Sequence, residues 1–62
     1  MKHEVTGTIY DYDYEAIVYT GDPMYSDKVI DIRDAVGECP HDLWDALEPL
    51  ILEDANRKVR EQ

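Results

Sequence analysis

A chain of 62 residues with fifteen Asp and Glu against six Lys and Arg carries a net charge of −9. That balance excludes direct binding to DNA, RNA or an anionic membrane surface, because neutralising phosphates takes clustered basic side chains. A single cysteine excludes an internal disulfide and points to a reducing compartment, so a cytoplasmic protein is expected.

No window approaches the roughly 20 apolar residues of a membrane span, and Met1-Lys2-His3-Glu4 has no apolar leader character. The length implies one domain, residues 1–62, near the lower limit for folding without disulfides or metal. Such a chain buries only about 60% of the surface its unfolded form exposes, and homodimerisation is an ordinary remedy. The charge is uneven. From Glu4 to Asp54 there are fourteen acids and two bases, Lys28 and Arg33, while Arg57, Lys58 and Arg60 lie near the C-terminal end. An anionic body of this kind steers toward basic proteins, although excess acid also keeps a small protein soluble.

The first predicted element is a strand over Glu4 to Tyr10, where Val5, Thr6, Thr8, Ile9 and Tyr10 are β-branched or aromatic. Next comes Ile9-Tyr10-Asp11-Tyr12-Asp13-Tyr14-Glu15, in which aromatic and acidic residues alternate. As a continuous strand it sets Asp11, Asp13 and Glu15 in one ladder, about 6.6 Å apart, with the tyrosines on the other face. As a hairpin, Asp11-Tyr12-Asp13-Tyr14 is the turn, which joins two strands without any glycine. Either geometry projects Asp11 and Asp13 outward.

Glu15 to Thr20 reads as a second strand, and Gly21-Asp22-Pro23 breaks it and opens an exposed loop to Asp27. Lys28 to Arg33 reads as a third, edge strand with Ile30 and Ile32 on one face and Val29, Asp31 and Arg33 on the other. A helix is expected from Pro40, which suits a first helical position, with Asp42 beside its positive end. Leu43, Trp44, Leu47, Leu50, Ile51 and Ala55 form its apolar stripe. Pro49 removes a helical hydrogen bond and predicts a kink or break near Leu47-Glu48. The expected fold is α+β: a three-stranded antiparallel sheet with a C-terminal helix packed on one face. Ile9, Ile17, Ile30, Ile32, Leu43, Trp44, Leu47, Leu50 and Ile51 are expected to supply most of the core.

Candidate chemistry is sparse. Asp11, Asp13, Glu15 and Asp22 match the spacing of a calcium loop, but Ala16 stands where the sharp turn requires glycine. Cys39 and His41 sit two apart, and zinc in a structural site takes four ligands. No nucleophile elbow, phosphate loop or dinucleotide fingerprint occurs, so neither an enzyme nor a cofactor is expected. Five tyrosines and Trp44 favour a binding module, since Tyr combines large contact area with a polar tip. Trp44 is placed in the helix's core face. Tyr25, beside Met24 in the loop, is the best candidate for an exposed anchor.

The strand-rich beginning, the Gly-Asp-Pro-Met-Tyr loop, the Val29-Ile30-Asp31-Ile32 strand and the acidic helix through Leu50-Ile51-Leu52-Glu53-Asp54-Ala55 resemble small acidic bacteriophage-encoded proteins. The resemblance lies in layout and composition. Members of that group recur as DNA mimics that block restriction enzymes, CRISPR effectors or host polymerase. The resemblance therefore implies a basic, nucleic-acid-binding host protein as partner and a host-cell cytoplasmic location. The expected function is a non-enzymatic inhibitor whose acidic face occupies that basic surface. Asp11, Asp13, Glu15, Asp22 and Asp27 would carry the electrostatics, and Tyr12, Tyr14 and Tyr25 the neighbouring contacts. The alternatives are a phage structural or assembly accessory protein, a homodimeric scaffold, or a small metal-binding protein.

Overall fold

The computed structural model describes residues 1–61. Strand β1 spans Lys2–Ile9, β2 Tyr12–Tyr19 and β3 Lys28–Arg33, and helix α1 spans His41–Glu61. The strands form one antiparallel sheet in the order β1-β2-β3, and α1 packs across one face of it. This is the α+β architecture expected from the sequence.

β1 and β2 are joined by a two-residue turn, Tyr10-Asp11, closed by the Ile9↔Tyr12 pair. Both residues have positive φ, 49° and 68°, as the two-residue hairpin whose twist matches its strands requires. The hairpin is therefore real, but its turn comes earlier than Asp11-Tyr12-Asp13-Tyr14. Strand β2 already begins at Tyr12, so Asp11 leaves the ladder and only Asp13 and Glu15 remain on it. Period-two alternation could not reveal this, because the residues at the turn differ from their neighbours only in φ.

On the helix-facing side, Val5, Tyr14, Ala16, Val18 and Ile32 meet Leu47, Ile51 and Ala55 of α1, with Cys39 from the connection. Ile9, Tyr12, Val29, Trp44 and Val59 pack around them. The β2–β3 ladder slips between Glu15 and Ala16: Glu15 pairs with Asp31, yet Ala16 pairs with Val29. Ile30 is the extra residue of this bulge. Val29 and Ile32 consequently face the helix, while Ile30 is 44% exposed. The expectation that Ile30 and Ile32 share the core face is corrected by that one inserted residue. Ile17 is buried but lies on the opposite side of the sheet from α1, between its cross-strand partners Glu4 and Lys28.

The helix starts one residue later than read. The C=O of Pro40 accepts the N–H groups of Leu43 (3.0 Å) and Trp44 (2.9 Å), so Pro40 is the cap and His41 the first helical residue. α1 then runs through Pro49 without a break. Pro49 is exposed, so the Asp45 carbonyl it leaves without its usual helical donor lies toward water. The buried stripe is Leu47, Ile51 and Ala55, narrower than the sequence suggested. Leu50 sits about 100° around the helix from Ile51, and Leu43 and Leu50 are 40% and 37% exposed rather than core.

Candidate protein-binding surface

The sequence-predicted contact residues divide into those at the surface and those the fold itself uses. Asp11 is exposed in the hairpin turn, and Asp13 and Glu15 are exposed on the open sheet face. Asp13 accepts the Thr8 hydroxyl across the strands at 2.8 Å. Tyr25 is 61% exposed and stacks on Tyr19, with ring centroids 5.2 Å apart and planes 21° apart. That stack and the neighbouring Met24 make an aromatic shelf at the far end of the sheet from the hairpin turn.

The other four are engaged. Asp22 accepts the Met24 N–H at 2.9 Å and shapes the loop. Asp27 accepts the Tyr19 N–H at 2.8 Å and the Asn56 amide at 2.7 Å, joining loop, central strand and helix. Tyr12 is half-buried against the core. Tyr14 is only 3% exposed, and its hydroxyl donates to Asp54 Oδ2 at 2.5 Å. Tyr14 thus belongs to the interior and cannot be a surface contact, because period-two alternation places it on the helix side.

Asp54 is the centre of a charged cluster under the helix. Besides Tyr14 it holds Lys58 Nζ at 3.3 Å and the guanidinium of Arg57. The Tyr14 hydrogen bond keeps the Asp54 carboxyl below its ordinary range, against partial burial, with Lys58 and Arg57 helping. Burial raises the Tyr14 phenol, and its hydrogen bond to Asp54 adds to this, against a smaller lowering by Lys58. Burial works to lower Lys58, but its hydrogen bonds and charge contacts with Tyr14 and Asp54 outweigh it and hold the ammonium above its usual value. Arg57 and Lys58 also suit the negative end of the helix dipole. The i,i+3 and i,i+4 spacing from Asp54 was the available signal for this cluster.

Neighbouring bases offset two acids of the open sheet face, Glu4 and Asp31, while Asp13 and Glu15 have no ion pair among the described residues. Register and burial place Glu4, Asp13, Glu15 and Asp31 there with Lys2, Lys28 and Arg33. Glu15 stands directly opposite Asp31, a like-charge pair relieved by Arg33 Nε at 2.7 Å from Asp31. Lys2 lies 3.8 Å from Glu4. The longest acidic stretch without a base lies elsewhere. From Asp34 to Asn56 the chain has seven acids and no Lys or Arg. Of these, Glu38, Asp42, Asp45 and Glu53 are exposed on the β3–α1 connection and the outer side of the helix. Asp42 to Glu53 spans eleven residues, about 16 Å of helix axis.

The chain matches no protein-family model, no curated protein and no solved structure.

Among the described residues no three His, Cys, Asp or Glu side chains converge as metal ligands, and no helix is long and apolar enough to cross a membrane. Cys39 is buried, and burial together with the nearby Asp34 charge pushes its thiol up, away from the reactive thiolate. His41 beside it is exposed on the first turn.

Proposed function

We propose that this chain is a non-enzymatic, acidic protein-binding inhibitor that occupies the basic nucleic-acid-binding surface of a host protein, in the manner of small acidic phage proteins. The observation that carries this reading is the run from Asp34 to Asn56, where Glu38, Asp42, Asp45 and Glu53 present exposed carboxylates with no intervening base. The helix holds three of them along about 16 Å of its axis, an anionic row suited to a basic, nucleic-acid-binding surface. Asp11, Asp13 and Glu15 extend the anionic surface around the hairpin, and Tyr25 offers an aromatic contact with a polar tip.

The test is a pull-down from host lysate at low and high salt, followed by affinity measurement on the recovered protein. Recovery of a basic nucleic-acid-binding protein at low salt, with affinity falling steeply as salt rises, supports the reading. Asp42→Lys with Asp45→Lys should abolish binding, and Asp11→Lys with Asp13→Lys should weaken it. Affinity flat with salt would end the mimic idea.

A structural or assembly role is the second reading, favoured by the half-exposed Leu43 and Leu50 on one side of α1. It predicts association that salt leaves unchanged or strengthens and that Leu50→Glu removes.

A further inference from the structure

We propose that Lys58 guards the open edge of the sheet, and that a second copy of this chain adds to strand β1 when the guard is removed. Met1 and Thr20 exchange both backbone bonds: the Thr20 N–H reaches the Met1 carbonyl at 2.7 Å, and the Met1 amino group bonds the Thr20 carbonyl. Bonded and non-bonded pairs alternate along an antiparallel ladder. With the observed register, His3, Val5, Gly7 and Ile9 therefore bond to β2. Lys2, Glu4, Thr6 and Thr8 turn their N–H and C=O groups away from the sheet, a row ready to pair with another strand.

The opposite edge is closed. Ile30 bulges out of register, the Cys39 N–H bonds the outward Ile32 carbonyl at 3.1 Å, and Arg33 bridges to Glu38. On β1, Lys58 Nζ lies 3.4 Å from the Thr6 carbonyl oxygen. It arrives there over Gly7, where an added Cβ would stand 2.1 Å from Nζ and 2.8 Å from the Tyr14 hydroxyl. The Tyr14 ring, 5.3 Å from Nζ, and Asp54 Oδ2, at 3.3 Å, hold the ammonium in place. A cation thus sits on the acceptor in the middle of the row, and a lysine there discourages strand addition.

The edge suits a second copy of the chain. A two-fold antiparallel pairing centred on Val5 sets Lys2 against the partner's Thr8 and Glu4 against the partner's Thr6, so no like charges stand directly opposite. That register uses the Thr6 carbonyl. Beside the edge, Leu50 adjoins Ile9 and Tyr10 in the groove between β1 and α1, a small apolar contact for a second copy within a rim of Glu53, Asp54, Arg57 and Arg60. Lys58 holds its position whether or not the acidic surface has a partner.

The test is sedimentation equilibrium on the full chain, with Trp44 fluorescence and circular dichroism reporting the fold. The wild type and Lys58→Arg should sediment as monomers. Lys58→Met should dimerise at least about tenfold more tightly, and more tightly still as salt screens the charge on each copy. Adding Thr6→Pro should return it to monomer, since the lost N–H faces away from β2. If Lys58→Met fails to fold, Lys58→Gln keeps a donor toward Asp54 while removing the charge from the edge. A folded Met or Gln variant as monomeric as the wild type, or a dimer indifferent to Thr6→Pro, overturns the proposal.

Discussion

The hydroxyl of Tyr14 donates to Asp54 Oδ2 at 2.5 Å, joining the central strand to the helix across 40 residues of sequence. Its acceptor is a carboxylate that also holds Lys58 and Arg57, so this bond joins the apolar core and the Asn56–Asp27 bond in holding the helix over the sheet. Tyr14→Phe keeps the buried ring and removes this bond alone. We expect it to cost about 1.5–3 kcal/mol, the range for a hydrogen bond to a charged group, read as a lower urea midpoint at unchanged m-value by Trp44 fluorescence.

The same cluster sets a pH dependence. Asp54 titrates lower in the folded chain than in the unfolded one, so its contribution is present above the ordinary carboxylate value of about 3.9 and is lost as pH falls through the lowered folded value. Lys58 and Tyr14 are both raised, so their contributions are present below about pH 10 and are lost as pH rises through their folded values. Carboxyl-carbon NMR should place the Asp54 midpoint below the ordinary value in the wild type and closer to it in Tyr14→Phe. Equal midpoints in the two would remove Tyr14 as the cause.

The bulge at Ile30 separates two isoleucines that read identically in sequence. Ile32 is fully buried, and Ile32→Ala should cost roughly 3 kcal/mol through lost burial and the cavity left behind. Ile30→Ala, at a half-exposed position, should cost under about 1 kcal/mol. Thermal melts of the two variants check the register, and a reversal of the order would contradict the bulge.

The hairpin turn stores strain that can be relieved. Tyr10 and Asp11 both adopt left-handed φ, which disfavours residues with a Cβ. Asp11→Gly should stabilise the chain by about 0.5–1 kcal/mol, since glycine adopts this φ at no steric cost. A higher melting temperature for Asp11→Gly checks this. The variant also removes one acid from the proposed surface, so its partner affinity should fall modestly while stability rises.

How far the sequence could be read is clearest in the Tyr/Asp stretch. Its alternation sends Asp13 and Glu15 outward and Tyr14 inward once β2 is given, because strand side chains alternate between faces. It could not place the turn, since the φ values of Tyr10 and Asp11 are imposed by the pairing of β1 with β2. Nor could it show that Asp27 is held by Tyr19 and Asn56, residues 8 and 29 positions away.

Composition, period and turn chemistry determined an acidic three-stranded sheet followed by a helix, because those signals are local and additive along the chain. Tertiary structure alone decided which acids remain available. Arg33 with Asp31, and Arg57 and Lys58 with Asp54, are neighbours within one strand and one helix. Seating Asp54 on Tyr14, and Asp27 on Tyr19 and Asn56, takes the packed fold. Exposed acid without an ion pair is left at the hairpin, on the open sheet face at Asp13 and Glu15, on the β3–α1 connection and on the outer side of α1. Lys58 reaches the Thr6 carbonyl because Gly7 lacks a side chain where helix and edge strand meet, a coincidence of two distant segments that only packing creates.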